Sequence, residues 1–199
     1  MAVTDPGDNA RMVEEKKRLR REIRETCKTL PAAYFREAGA SIERQVLALE
    51  AYQRAETVMA FLSLPAEPET RGIIADAVNR GKRVLLPRCL DRERMEAVRF
   101  RGFDRLREGM MGLEEPWPEP GDRNPAPDLI LVPCMAATRD GWRLGHGGGY
   151  YDRYLREQRG KTVCLCFGAF LRSALPVSPE DVRVSRVISE EPGPREIKT

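Results

Sequence analysis

A glycine-rich segment carries the strongest chemical signal in this sequence. Between Arg143 and Asp152 the chain reads Arg-Leu-Gly-His-Gly-Gly-Gly-Tyr-Tyr-Asp, with four glycines in the five positions 145–149. Glycines allow backbone N–H groups to converge on an anion that a Cβ atom would hold away. A strand is predicted before the segment, at 128–133, and a helix after it, at 150–158, so the helix dipole would also attract negative charge. The pattern favours a phosphate site, although a flexible connection would also explain the glycines.

The residues around these glycines suggest which anion binds. Arg143 carries a planar, permanently charged group suited to phosphate, and Asp152 could supply one ligand to a phosphate-bound Mg²⁺ or simply favour the helix dipole. His146 is the only histidine, which argues against zinc and fits a packing or hydrogen-bonding residue better than a general base. Tyr150 and Tyr151 could cover a planar heterocycle, but one tyrosine of such a pair usually belongs to the core.

Helices and strands are predicted to alternate along the rest of the chain. This alternation indicates an α/β fold with a mostly parallel sheet, helices on both faces, and ligands at the carboxyl ends of the strands. The stretch 102–127 shows no clear period. The predicted helices are 12–30, 31–49, 70–80 and 150–158, and the predicted strands are 57–63, 83–87, 95–100, 128–133, 161–169 and 184–189, the last at a sheet edge.

Composition fits a small globular enzyme. The 199 residues suffice for a single domain over 1–199, with tails expected to be mobile at 1–11 and 191–199. The formal charge of +3 is too small to indicate nucleic-acid binding, and no apolar stretch approaches the roughly 20 residues of a membrane span. The N-terminus lacks the apolar centre of a signal peptide. Five scattered cysteines without a Cys-x-x-Cys pair predict free thiols in a reducing compartment, so we expect a cytoplasmic protein.

Several segments together resemble one enzyme family. The strand Leu129–Pro133, the segment Gly141–Leu144 and the run Gly145–Leu155 resemble the signature of 5-formyltetrahydrofolate cyclo-ligase, also called 5,10-methenyltetrahydrofolate synthetase. Lys16–Ile23 is similar to the family's basic opening helix, and Phe61–Thr70 to the segment that lines its folate pocket. The resemblance implies a three-layer αβα fold with a mostly parallel central sheet, Rossmann-like and of the NagB/RpiA/CoA-transferase-like type.

The resemblance also implies a reaction and a set of site residues. ATP would phosphorylate the formyl oxygen of 5-formyltetrahydrofolate, and N10 would then close the ring as phosphate leaves. Such chemistry depends on positioning and charge neutralisation, and no acid or base residue is assigned. The implied ATP contacts are Lys16, Arg20, Arg143, Leu144, Gly145, His146, Gly147, Gly148, Gly149, Tyr150 and Tyr151. The implied folate contacts are Leu62, Glu67, His146, Gly147, Gly148, Gly149 and Tyr150. Asp152 would hold Mg²⁺, and we expect a monomer with no nucleic-acid or membrane partner.

One position departs from the family pattern. Its members commonly carry a second acidic residue in a segment like Asp-x-x-Val-Asp-x-Val, whereas 181–187 here has Ser185 at that place. The departure leaves open a paralogue with reduced activity or a non-catalytic folate- or nucleotide-binding module. A different ATP- or phosphosugar-using enzyme on a similar sheet is the other alternative.

Overall fold

The computed structural model describes residues 6–65, 67–110, 112–122 and 126–191. Two short 3₁₀ turns, Phe103–Arg105 and Gly168–Phe170, accompany the helices and strands. The helices are α1 (Pro6–Thr29), α2 (Ala32–Ala48), α3 (Glu50–Arg54), α4 (Arg71–Asn79) and α5 (Tyr150–Leu155). The strands are β1 (Thr57–Met59), β2 (Arg83–Cys89), β3 (Met95–Arg99), β4 (Leu106–Glu108), β5 (Glu114–Pro116), β6 (Leu129–Val132), β7 (Ala136–Thr138), β8 (Arg143–Leu144), β9 (Lys161–Leu165), β10 (Leu171–Arg172) and β11 (Arg186–Ile188).

The central sheet has six strands in the order β11-β9-β6-β1-β2-β3. All neighbouring pairs are parallel except β2 and β3, which confirms the mostly parallel sheet. All four residues of β6, Leu129–Val132, are fully buried. Because successive residues of a strand point to opposite faces, this burial requires cover on both faces of the sheet. The edge position predicted for 184–189 is also confirmed, since β11 is a terminal strand.

The strand order reverses in the middle of this sheet. From β1 the chain continues to β2 on one side, whereas β6, β9 and β11 follow on the other. Ligands of doubly wound sheets bind at the carboxyl ends of the strands where such a reversal occurs. The residues that follow β1 and β6, including Phe61 and Pro133, lie at this edge and line one cavity.

Several predicted elements have different ends in the structure. The strand predicted at 57–63 ends at Met59; the hydroxyl of Thr70 donates to the carbonyl of Phe61, so this part of the chain bonds to the loop before α4. The helix predicted at 150–158 ends at Leu155, and the strand predicted at 161–169 ends at Leu165. Residues 6–11 belong to α1, within the predicted N-terminal tail, whereas 1–5 and 192–199 lie outside the described residues.

Two small sheets were not predicted. β4 and β5 form a hairpin in the stretch 102–127, and their three-residue strands are too short to show a period in the sequence. β7 pairs with β10 and with β8, so Arg143–Leu144 lies in a strand and not in the glycine loop. The β7–β8 hairpin thereby carries the chain from the end of β6 to the glycine-rich segment.

Candidate functional site

A cavity of about 510 Å³ lies at the carboxyl edge of the central sheet. Its walls come from the segments after β1 and β6, the end of β2, the β4–β5 hairpin and the glycine loop, which we define as residues 145–149. Of the predicted site residues, those that line it are Leu62, Glu67, Arg143, Gly145, His146, Gly148, Gly149, Tyr150, Tyr151 and Asp152. Leu144, Gly147, Lys16 and Arg20 lie outside this lining.

The glycine loop adopts a backbone that requires glycine at particular positions. Gly147 and Gly149 have φ angles of 116° and 68°, in the region that L side chains rarely adopt. A Cβ atom on Gly148 would lie 2.7 Å from the ring of Tyr150. Gly149 is also the residue immediately before α5, so the loop leads directly into that helix. The glycines therefore set the path of the backbone, and two of its carbonyls, those of Gly145 and Gly148, accept hydrogen bonds from Arg20 and Arg153.

Two basic residues of α1 approach this region from outside the cavity. Nε of Arg20 donates to the carbonyl of Gly145 at 2.8 Å, and its terminal nitrogens have no acceptor among the described residues. Burial and the neighbouring Arg24 lower the pKa of Arg20, and Asp181 opposes that change. Nζ of Lys16 lies 2.5 Å from Oδ2 of Asp181 and also donates to the hydroxyl of Ser178. Arg20 thus has donors available beside the loop, whereas Lys16 is held in an ion pair.

Arg143 and Asp152 contact each other across the base of the glycine loop. Nη2 of Arg143 donates to Oδ1 of Asp152 at 2.9 Å, and Nη1 donates to the carbonyl of Val182. The side chain of Arg143 is 2% exposed. Oδ1 of Asp152 also accepts the backbone N–H of Val182, whereas Oδ2 has no donor among the described residues. In the structure Arg143 therefore orients Asp152, and its contact with phosphate stays a prediction.

Glu67 and His146 form another side-chain contact at the cavity wall. Nε2 of His146 lies 2.7 Å from Oε1 of Glu67, and Oε2 accepts the backbone N–H of Leu64. The carboxylate side chain is 4% exposed and the imidazole 41%. The contact joins the glycine loop to the segment that the resemblance assigns to folate.

The adjacent tyrosines differ in their surroundings. The hydroxyl of Tyr150 donates to the carbonyl of Asp91 at 2.8 Å, which fixes its ring against the β2–β3 connection. The hydroxyl of Tyr151 is buried without a partner among the described residues. Burial, followed by the negative charge of Glu67, raises the pKa of Tyr151 well above its usual value, so the hydroxyl keeps its proton.

Part of the cavity wall was missed by the sequence analysis. Cys89, at the end of β2, and Leu113 to Glu115, in and beside β5, line the cavity. Burial and the charge of Glu115 raise the pKa of the Cys89 thiol to about 11. Glu115 is itself buried and accepts the backbone N–H of Cys89, so the hairpin is attached to β2. The turn at 112–116 resembles the family in sequence, but these residues were not predicted to line the site, because the hairpin reaches the cavity only through tertiary packing. The five cysteines are free thiols, as predicted.

Ser185 lies far from the glycine loop along the sheet. Its hydroxyl bonds to the hydroxyl of Thr162, which pairs with Ile130 near the amino ends of β9 and β6. The cavity is at the opposite, carboxyl edge. Ser185 therefore replaces no ligand of this cavity, and the reason for suspecting a weakened metal site at that position is removed.

The described residues contain no cluster of three or more histidine, cysteine, aspartate or glutamate side chains that could hold a metal ion. Oδ2 of Asp152 is nevertheless a hard oxygen donor at the cavity wall, of the kind that Mg²⁺ prefers. A single protein carboxylate is sufficient where substrate phosphates and water complete the coordination. Across the described part of the chain, no helix is long and apolar enough to cross a membrane.

Comparison with known proteins identifies the class of enzyme to which this fold and cavity belong. The sequence profile of the 5-formyltetrahydrofolate cyclo-ligase family matches residues 12–190. The chain belongs to this family.

Relatives and solved structures agree with this assignment. The Mus musculus 5-formyltetrahydrofolate cyclo-ligase is 30% identical, over 88% of this chain and 94% of the relative. The Escherichia coli enzyme of that name is 28% identical, over 84% and 96%. The structure of Aquifex aeolicus 5,10-methenyltetrahydrofolate synthetase superimposes with a TM-score of 0.78 at 24% identity, covering 89% of this chain and 90% of that one. That likeness supports the fold.

Proposed function

We propose that the protein catalyses the ATP-dependent cyclisation of 5-formyltetrahydrofolate to 5,10-methenyltetrahydrofolate, with release of ADP and phosphate. The observation that carries the proposal is that most of the glycine loop lines the same cavity as Leu62 and Glu67. A reaction in which a nucleotide phosphorylates a folate requires both sites within one enclosed space. Family membership supplies the identity of the two substrates.

The glycine loop is the proposed site of the ATP phosphates. Because glycines carry no Cβ atom, the backbone N–H groups of the loop can approach phosphate oxygens closely. Arg20 would add charge from the α1 side, where its terminal nitrogens have no acceptor among the described residues. Lys16 would contribute through its long-range charge or after leaving Asp181, since the two are paired in the structure.

Asp152 is the proposed protein ligand of Mg²⁺, with ATP oxygens and water supplying the others. When bound, Mg²⁺ would neutralise charge on the phosphates during transfer. Arg143 holds Oδ1 of Asp152 and the backbone of Val182, so Oδ2 is presented in a fixed direction. This orientation is the task that the structure gives to Arg143.

The folate is proposed to bind against Leu62, Glu67 and Tyr150. A pterin ring presents adjacent N–H donors, which a carboxylate such as Glu67 can accept. Tyr150 is held by Asp91 and offers a fixed aromatic edge near the glycine loop. In the reaction the formyl oxygen takes the γ-phosphoryl group, N10 forms a bond to the formyl carbon and loses its proton, and the C–O bond breaks to release phosphate. The residues contribute position and charge compensation for these steps.

The cellular setting belongs to the same proposal. We propose a cytoplasmic monomer that acts on small molecules, without a nucleic-acid or membrane partner. Its small net charge of +3 supports the absence of a nucleic-acid partner.

A direct assay tests the proposed function. Purified protein is mixed with 5-formyltetrahydrofolate, ATP and Mg²⁺, and formation of the methenyl product is followed by its absorbance while ADP is measured separately. We expect both products in equal amounts. ADP without methenyl product would indicate another ATP-using enzyme, and folate binding without either product would indicate a binding module; each result would reject the proposal.

A further inference from the structure

The carboxylate of Glu67 is almost completely covered in the structure. Oε1 lies 2.7 Å from Nε2 of His146, Oε2 accepts the backbone N–H of Leu64 at 2.8 Å, and the side chain is 4% exposed. Each oxygen has one partner and could accept a second hydrogen bond, but almost none of the side chain is exposed. A ligand can therefore reach this carboxylate only if a group that covers it moves.

The two partners of Glu67 differ in their freedom to move. The contact with Leu64 is part of a local turn, because the backbone N–H of Glu67 also donates to the carbonyl of Leu64 at 3.0 Å. His146, in contrast, comes from the glycine loop, and 41% of its side chain is exposed. An exposed imidazole can rotate into water and exchange one hydrogen bond for another at small cost. His146 is the partner that a ligand would displace.

Tyr151, which also lines the cavity, has an unsatisfied hydroxyl in the free protein. Its buried hydroxyl has no hydrogen-bond partner within the described residues. After burial, the negative charge of Glu67 is the largest influence that raises the pKa of Tyr151. Buried hydroxyls in folded proteins are nearly always hydrogen-bonded. An unpaired hydroxyl at a cavity wall therefore indicates that its neighbours take another arrangement in a different state of the site. Movement of Glu67 or entry of a ligand could supply the missing partner.

We propose that the imidazole of His146 occupies, in the free protein, the position on Glu67 that the N–H donors of the pterin take, and that folate binding displaces it. The inference rests on the proposed function, because it takes Glu67 as a folate contact. Displacement removes the hydrogen bond between His146 and Glu67 when folate enters. His146 is thus a competitor of folate for Glu67, and it determines how tightly folate binds.

Replacing His146 tests the direction of this effect. His146→Ala uncovers the carboxylate, so 5-formyltetrahydrofolate should bind roughly three- to tenfold more tightly by calorimetry. His146→Gln keeps an N–H donor and should stay nearer to the wild type. The melting temperature of each variant serves as the reference for an intact fold. Unchanged or weaker folate binding by His146→Ala would overturn the inference. If His146 merely positioned Glu67, its removal would lower the affinity for folate.

Because His146 is the only histidine in the chain, its ring gives an unambiguous NMR signal in untagged protein. The ¹⁵N resonance of Nε2 should move on saturation with 5-formyltetrahydrofolate to the position that it has in Glu67→Ala, where its partner is missing. An Nε2 resonance that stays at its free-protein position in the folate complex would show that the contact persists and would contradict displacement. Failure of the wild type to bind folate at all would instead contradict the proposed function.

Discussion

Arg143 and Asp152 stand on either side of the glycine loop and close its base, with Nη2 of the arginine 2.9 Å from Oδ1 of the aspartate. Only 2% of the arginine side chain is exposed, so its charge is compensated mainly by this partner. The pair fixes the distance between β8 and α5, and the loop must span that distance. The arrangement leaves Oδ2 of Asp152 without a donor among the described residues.

The first prediction concerns Asp152→Asn. The amide keeps the shape of the side chain but loses the charge that a hard cation prefers, so half-maximal turnover should require more Mg²⁺. The loss of charge also leaves Arg143 buried without a counter-ion, and the melting temperature should fall. Turnover measured across a Mg²⁺ titration, beside a thermal melt, separates the two effects.

Asp140→Asn is the matched control for this prediction. Asp140 also pairs with an arginine, Arg183, but both side chains are 55% exposed, so its removal should change neither quantity appreciably. A Mg²⁺ titration of Asp152→Asn that coincides with that of the wild type would restrict Asp152 to the structural ion pair.

The second prediction concerns Arg20→Ala. The terminal nitrogens of Arg20 lie beside the glycine loop. We therefore expect this change to lower the affinity for ATP by about 10- to 150-fold, which is the contribution of a charge-assisted hydrogen bond. The affinity for folate should fall much less. Arg21→Ala is the control, since Arg21 pairs with Glu14 and is 62% exposed. Binding of each ligand by calorimetry measures the difference. Equal losses for both ligands in Arg20→Ala would assign Arg20 to loop structure alone.

The sequence predicted the central sheet because its signals are local. Consecutive apolar residues such as Leu129–Val132 mark a strand buried on both faces, and the glycines at 145–149 mark a special backbone wherever they occur. The alternation of helices and strands then restricts the topology to a few solutions. For elements with such periodic or compositional signals, the predicted and observed ranges differ mainly at the ends.

The contacts of the site depend on residues that are distant in sequence, and these were not predictable. His146 and Glu67 are 79 positions apart, and no sequence pattern indicates that the guanidinium of Arg143 donates to Asp152. The hairpin β4–β5 lacks a period and packs on the end of β2, where Glu115 accepts the backbone N–H of Cys89. Such partners follow from tertiary packing, which composition and spacing do not encode.

The third prediction concerns the reactivity of Cys89. Its thiol lines the cavity, and burial together with the charge of Glu115 raises its pKa to about 11. Because the thiolate is the reactive form, alkylation at pH 8 should be about two-hundredfold slower than for an unperturbed thiol with pKa of about 8.5. The rate should rise with pH up to about pH 11.

Mass spectrometry of the alkylated Cys89 peptide measures this rate, and Cys89→Ser identifies the signal. Bound 5-formyltetrahydrofolate should slow the reaction further by covering the cavity. A rate at pH 8 equal to that of a small free thiol would show that Glu115 and burial do not protect this sulfur.

The fourth prediction compares two glycines with opposite requirements. Gly147 has a φ angle of 116°, so Gly147→Ala should strain the loop by about 1–2 kcal/mol and lower its affinity for ATP. Gly39 lies inside α2, and a Cβ atom there would meet nothing within 4 Å. Gly39→Ala should therefore raise the free energy of unfolding by about 0.5–1 kcal/mol, because alanine loses less backbone entropy in a helix. In thermal melts this gain corresponds to a rise of about 1–4 °C. ATP binding by Gly39→Ala should equal that of the wild type. If Gly147→Ala also bound ATP as tightly as the wild type, the positive φ angle of the loop would not be needed for nucleotide binding.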